Sequence, residues 1–263
     1  MNPVLIVGIE DYGGLAETLP GCLNDARSWE TLLKSRYKVG GLTILLNDRA
    51  DRKSVSNALS NLFQKHTDQF PAVFIYAGHG DRIKRGSSTE DILVFRSDDK
   101  SFSGGDFSND DLIKLLTEHL PKDVTRSPVF VLDCCYSGGL MEAHGQATPR
   151  SRSASNPKLP KVKRSPDHKL FGRPAGAAPP KAEVPLILAA AGPDQSAWDA
   201  MMSDNKRHGL FSFVATAALS KDPSLSYKDL IAQVKATIAK DYDFGQVPEL
   251  SGSLADQPRP FLK

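Results

Sequence analysis

Five short apolar runs constrain this chain more than any other feature: "VLIVG" (4–8), "LTILL" (42–46), "AVFIYAG" (72–78), "VFVLD" (129–133) and "LILAAA" (186–191). They are continuous rather than alternating, the pattern of strands covered on both faces of a parallel sheet. Helical periodicity fills the intervals. "LNDARSWETLLKSRY" sets Leu23, Ala26, Trp29, Leu32 and Leu33 on one face, and "SVSNALSNLF" does the same with Val55, Leu59, Leu62 and Phe63. "SNDDLIKLLTEHL" offers Ser108 as an N-cap ahead of Leu112, Leu115 and Leu116, and "GLFSFVATAAL" and "SYKDLIAQVKATIA" follow near the C-terminus. Strands alternating with helices predict a doubly wound α/β fold. The expected architecture is a three-layer α/β/α sandwich with a mostly parallel central sheet and right-handed crossovers.

The sequence has 263 residues and a net charge of +2. That charge is unevenly spread: residues 146–181 hold nine Lys or Arg against the single acid Asp167, which leaves the remainder at −6. The same segment carries seven prolines and little apolar periodicity, the composition of a solvated loop. The expected division is therefore a larger part (1–140), a basic linker (141–184) and a smaller part (185–263) of one domain. A mildly acidic body argues against nucleic acid as a partner, and no apolar run is long enough to span a membrane. "MNPVLIVGIEDYGG" reads as a first strand and not as a secretion signal. Three cysteines, two of them adjacent, make no disulfide framework and fit a reducing compartment, cytoplasmic or nuclear.

The adjacent pair lies in "FVLDCCYSGG", directly after an apolar run. Side chains alternate along a strand, so Asp133 and Cys135 share one side and Cys134 takes the other. Cys135 falls just past the strand, where open α/β sheets bind ligands, and is expected to be exposed while Cys134 packs inside. A thiol becomes a useful nucleophile beside a base. His79, between two glycines in "YAGHGD", ends another such run. If the two strands are neighbours, His79 and Cys135 meet at one rim, with the Gly80 and Cys135 amides available as an oxyanion hole. The plainer reading is that a lone cysteine or histidine is part of the core. Adjacent cysteines lack the spacing of a zinc site.

At these residues the sequence resembles the metacaspases, a caspase-like cysteine peptidase family. "YAGHG" matches the family's Tyr-Ser-Gly-His-Gly, "DCCYSG" its Asp-x-Cys-His-Ser-Gly, and "GCLNDA" (21–26) its Gly-Cys-x-Asn-Asp-Ala. "LILAAAGPDQSAWD", "HGLFSFVATAAL" and "QVPELSGS" are similar to its small-subunit region, and the likeness is to the short-linker type without an N-terminal prodomain.

The resemblance implies Cys135 as nucleophile and His79 as base, with Asp25 and Asp133 lining a pocket for Arg or Lys before the scissile bond. No third member of a triad is evident. It also implies a calcium site: Asp91, by its spacing to Asp98, with Asp110 and Asp111, and Glu142 where the family has Asp. Without the family context, Asp25, Asp110 and Asp111 read as acids near helix starts. Two departures stand out. Tyr136 replaces the usual His, and Ala77 replaces a Ser near the pocket, which leaves the balance of Arg over Lys open. Self-cleavage is expected in the linker, at Arg150, Arg152, Lys163 or Arg164. Pro174 blocks it after Arg173, and "PKVKR" also passes as a nuclear signal. The expected protein is a monomeric cysteine endopeptidase with protein or peptide substrates. The rival readings are a catalytically silent caspase-like regulator and a nucleotide- or phosphate-binding α/β protein. For the second, no GxGxxG or P-loop follows any strand.

Overall fold

The computed structural model of the chain describes residues 1–85, 88–97, 105–135, 150–151, 185–192 and 195–263. Each of the five apolar runs forms a strand of one six-stranded sheet: β1 (Asn2–Gly8), β2 (Val39–Leu46), β3 (Val73–Ala77), β7 (Val129–Asp133) and β9 (Leu186–Ala189), closed at one edge by β12 (Glu249–Ser251). The order is β12-β9-β7-β3-β1-β2, parallel throughout except for the antiparallel β12. Along β1, β3 and β7 every residue is buried. β2 departs from the expectation of two covered faces: as an edge strand it is largely half-exposed or exposed.

Helices cover both faces. On one, α1 (Gly21–Arg36), α4 (Leu210–Lys221) and α5 (Tyr227–Asp241) pack Trp29, Phe211, Val214, Leu230 and Val234 over Val4, Ile75 and Val131. On the other, α2 (Arg52–Gln64) and α3 (Asn109–His119) pack Leu59, Phe63, Leu112 and Leu116 over Val7, Phe74 and Phe130. Ser108 caps α3 as expected, in a capping box with Asp111. The three-layer α/β/α sandwich thus follows from two apolar faces that each need a lid.

Two small antiparallel sheets accompany the main one. β4 (Gly80–Arg85), β5 (Ser88–Val94) and β6 (Asp106–Ser108) follow β3 in the chain and form one, and β8 (Arg150–Ser151), β10 (Trp198–Met201) and β11 (Arg207–Gly209) form the other. β8 corrects the reading of the linker as wholly without elements, because Arg150 pairs with Asp199 and Ser151 with Trp198. Of the residues named from the sequence, Asp98, Tyr136, Glu142, Arg152, Lys163, Arg164, Asp167, Arg173 and Pro174 lie outside the described residues. Among the described residues, no helix is long and apolar enough to cross a membrane.

Candidate functional site

The pairing of β3 with β7 positions the site. The strands run parallel with Ala77 opposite Asp133, so His79 and Cys135, each two residues further on, leave the sheet side by side. The Gly78 amide bonds the Asp133 carbonyl (3.3 Å). A Cβ on Gly80 would run into the carbonyl oxygen of Cys135 and lie 3.2 Å from the Cys134 sulfur, so only glycine lets the two rims approach this closely. The two residues named for an oxyanion hole, Gly80 and Cys135, are thus in contact.

The ring of His79 is fixed by backbone. Its Nε2 lies 2.8 Å from the carbonyl oxygen of Glu17. A carbonyl only accepts, so Nε2 carries the proton and the lone pair is on Nδ1. Two phenols hold the His79 peptide unit: its N–H donates to Tyr12 Oη (2.6 Å), and Tyr76 Oη donates to its carbonyl (2.7 Å). Burial, reinforced by Tyr12, pushes the Tyr76 hydroxyl well above its usual range, so it stays a donor at any working pH. The Tyr12 ring also packs on the imidazole, centroids 4.8 Å apart.

Cys135 alternates as expected: it shares a core face with Val129 and Val131, while Cys134 joins the opposite core. Its expected exposure is corrected. Both cysteines are fully buried, and the cover comes from sequence far away. The amide of Ala197 donates to Cys135 Sγ (2.9 Å), and the thiol bonds the Ala197 carbonyl (3.3 Å). Such an amide favours negative charge on sulfur, and the segment carrying Ala197 covers the thiol in this structure.

The two acids named for specificity are also buried, and both face the start of α4, which no side chain caps locally. Asp25 accepts from the Gly209 amide (2.9 Å) and Asp133 from the Ser212 amide (2.9 Å). A third buried carboxylate, Asp199 on β10, accepts from the Gly21 amide (2.8 Å) at the start of α1, another helix without a side-chain cap. Remote carboxylates thus satisfy helix starts and lie at the positive ends of the dipoles. Two basic side chains answer them. Arg207 Nε bonds Asp199 (2.7 Å), and the ring of His208 bridges Asp25 (Nδ1, 3.0 Å) and Asp204 (Nε2, 3.1 Å). Cys22 packs in a small cluster with Leu19 and Ala77. The cluster adjoins the thiol, since Asp133 precedes Cys135 by two residues and Asp199 follows Ala197 by two.

Sequence reasoning missed Asp199, Arg207, His208, Tyr12 and the Glu17 carbonyl. Asp199 and Tyr12 stand in quotable stretches, "SAWDAM" and "EDYGG", whereas a carbonyl oxygen leaves no trace in residue identity. Of the acids named for calcium, Glu142 lies outside the described residues, and the other three do not come together as a metal-holding group. Asp91 is buried on β5. Asp111 is used by its capping box and, with Asp106, by Arg52 (Nη2 to Asp111 2.8 Å, Nη1 to Asp106 3.1 Å), while Asp110 is exposed. Among the described residues no three acidic, His or Cys side chains assemble as a metal-holding group.

Comparison with known proteins bears on the family and the fold. A family model described as the caspase domain matches residues 2–257. The relatives include Metacaspase-7 of Arabidopsis thaliana, 30% identical over 52% of this chain and 35% of that protein. Metacaspase-6 of the same plant is 29% identical over 58% of this chain and 43% of that one. Metacaspase-1 of Mycosarcoma maydis is 24% identical over 95% of this chain and 69% of that one. The chain thus spans less than half the length of the two plant relatives. In fold it is similar to the crystal structure of a Geobacter sulfurreducens protein, with a TM-score of 0.68 and 16% identity over 98% of this chain and 97% of that one. With the caspase-domain match over nearly its whole length, the chain belongs to the caspase-domain peptidase family, and metacaspases are among the proteins it is similar to.

Proposed function

We propose that this protein is a cysteine endopeptidase that cleaves peptide bonds after Arg or Lys through Cys135 and His79. The observation that carries the reading is the β3–β7 register, which delivers a tautomer-fixed imidazole and a thiol to one rim. His79 Nδ1 takes the thiol proton, and the sulfur attacks the carbonyl carbon of the scissile bond. The resulting oxyanion is held by the Gly80 and Cys135 amides. His79 then returns the proton to the leaving amine as the C–N bond breaks, leaving a thioester. Water, deprotonated by His79, attacks that thioester, and the thiol regains its proton as the carboxylate product departs. The Glu17 carbonyl orients the ring in the way a third residue does in other hydrolases. The acidic cluster of Asp25, Asp133 and Asp199 supplies the negative field that selects a long cationic side chain.

Self-processing belongs to the same proposal. Arg150 pairs with Asp199 on β10, two residues beyond the Ala197 that covers the thiol, so the two-residue strand Arg150–Ser151 lies next to the segment that covers the site. Arg150 is therefore the first linker candidate to test.

Hydrolysis of Arg- and Lys-based fluorogenic peptides, with and without calcium, tests the reading. Activity is expected in the wild type and in Cys134→Ala, and none in Cys135→Ala. Mass spectrometry of the intact chain should show linker cuts that the Cys135→Ala protein lacks. Wild-type protein with no activity on either peptide and an uncut linker would return the assignment to a silent caspase-like regulator.

A further inference from the structure

The contact that stands out is the one between Asp25 and His208. His208 is 4% exposed, and a carboxylate oxygen faces each of its ring nitrogens: Asp25 from α1 at 3.0 Å and Asp204 from the turn between β10 and β11 at 3.1 Å. A neutral imidazole has one N–H and can satisfy only one of these acceptors; the imidazolium satisfies both. We infer that His208, held as a cation between Asp25 and Asp204, is a positioning residue for the acidic cluster: it fixes the Asp25 carboxylate and sets the net charge that an incoming Arg or Lys side chain meets. The inference rests on the Arg/Lys reading above and names the residue that tunes it.

The surrounding charges support this. From α1 comes Asp25, from β10 Asp199, from β7 Asp133 by way of Ser212, and from the turn Asp204 and Lys206. Arg207 on the same strand is taken up by Asp199, through its Nε and through Nη2 to the Asp199 carbonyl (2.6 Å). α4 faces the ring with Phe213, centroids 5.3 Å apart, and has no acid in its first turn. Burial alone would discharge His208, but hydrogen bonds and charge from Asp25 and then Asp204 outweigh it and hold the imidazole above its ordinary value. Counting Asp25, Asp133 and Asp199 against Arg207 and protonated His208, the buried cluster stands at −1. Loss of the imidazolium proton takes it to −2. A cationic substrate side chain should therefore bind more tightly as His208 deprotonates.

Two measurements on the full chain test this. Steady-state kinetics on an Arg-based peptide should show KM falling about tenfold as pH rises through the His208 transition, the scale of one added charge a few ångströms away, with the change falling on KM more than on kcat. In His208→Gln, which keeps a donor for Asp25 but no charge, KM should be low and flat across that range. Asp204→Asn on the exposed side (41% side-chain exposure), which changes no buried side chain, is the second variant, and it should move the KM transition to lower pH. NMR titration of the histidine rings is independent of activity: the His208 midpoint should lie above the usual value of about 6.5 and fall in both Asp204→Asn and Asp25→Asn. A His208 midpoint at or below that value, or a KM transition unchanged in Asp204→Asn, overturns the inference. A raised midpoint in a protein inactive on Arg and Lys peptides overturns the substrate reading and the specificity role with it, while the clamp itself stands.

Discussion

Replacing Gly80 by alanine is the most direct test of how the two rims meet. The added Cβ would overlap the carbonyl oxygen of Cys135 and stand 3.1 Å from its carbon and 3.2 Å from the Cys134 sulfur. The oxygen is backbone and has no rotamer to retreat into. Ordinary contact therefore requires the β3–β4 rim and the Cys135 rim to part by on the order of 1 Å, at an overpacking cost of about 1–3 kcal/mol. A separation of that size between base and nucleophile costs about a hundredfold in rate. Urea unfolding should show the lost stability, and kcat/KM on an Arg-based peptide should fall by about two orders of magnitude. Gly245→Ala is the control. Its φ of +62° strains any side chain, but nothing lies within 4 Å of an added Cβ, so it should cost about 1 kcal/mol of stability and leave activity intact. A Gly80→Ala enzyme within about twofold of wild-type activity would mean that the rims do not touch in the working state, and the oxyanion-hole geometry drawn from their contact would fail.

Three further perturbations probe the supports of the site. Tyr12→Phe leaves the buried His79 amide without its acceptor and should cost about 1–3 kcal/mol, with a loss in kcat and little change in KM; an unchanged kcat would mean that the phenol does not position the ring. Buried His66 accepts from the Ala72 amide and donates to the Arg126 carbonyl, and burial lowers its pKa. Its contribution is present above the unfolded value of about 6.5 and lost as pH falls through the folded one, whereas that of His208, whose folded value is raised, is lost as pH rises; urea midpoints across pH, compared with His66→Gln and His208→Gln, should separate the two slopes. Because Arg52 already serves Asp106 and Asp111, millimolar calcium should shift the melting temperature by less than about 1 °C; a larger shift would show that the chain assembles a calcium site elsewhere.

What the sequence disclosed and what it hid divide along range of contact. Five continuous apolar runs are a local pattern, and so are the caps and faces of the helices, so the sheet and its two helical layers could be read directly. The side-by-side arrival of His79 and Cys135 needed only one further assumption, that two buried strands are neighbours. The exposure of β2 could not be read, because an edge position is a property of strand order and not of the residues in the strand. The antiparallel pair β4 and β5 comes from "GDRIKR" and "STEDILV", where charged residues dilute the alternation, and β8 is two residues long. The burial of Cys135 depends on Ala197, 62 positions away, and the partner of Asp25 is His208, 183 positions away. No local pattern encodes either contact.

That same long-range construction decides how the acids must be tested. Asp133 is both a charge in the cluster and the acceptor for the Ser212 amide at the start of α4. Removing it altogether unties a helix start as well as a specificity group, at about 1–3 kcal/mol for the amide left without its acceptor. A dead Asp133→Ala enzyme would therefore say nothing about substrate choice. Asp133→Asn separates the two roles, because the amide oxygen still accepts from Ser212 while the charge is gone. If the cluster selects cations, Asp133→Asn should unfold within about 1 kcal/mol of wild type yet lose about tenfold or more in kcat/KM on Arg and Lys peptides, one charge at close range being worth that much. An Asp133→Asn protein that keeps both its stability and its preference would leave the carboxylate as a helix cap alone, and the selection of a cationic side chain would have to come from Asp25 and Asp199.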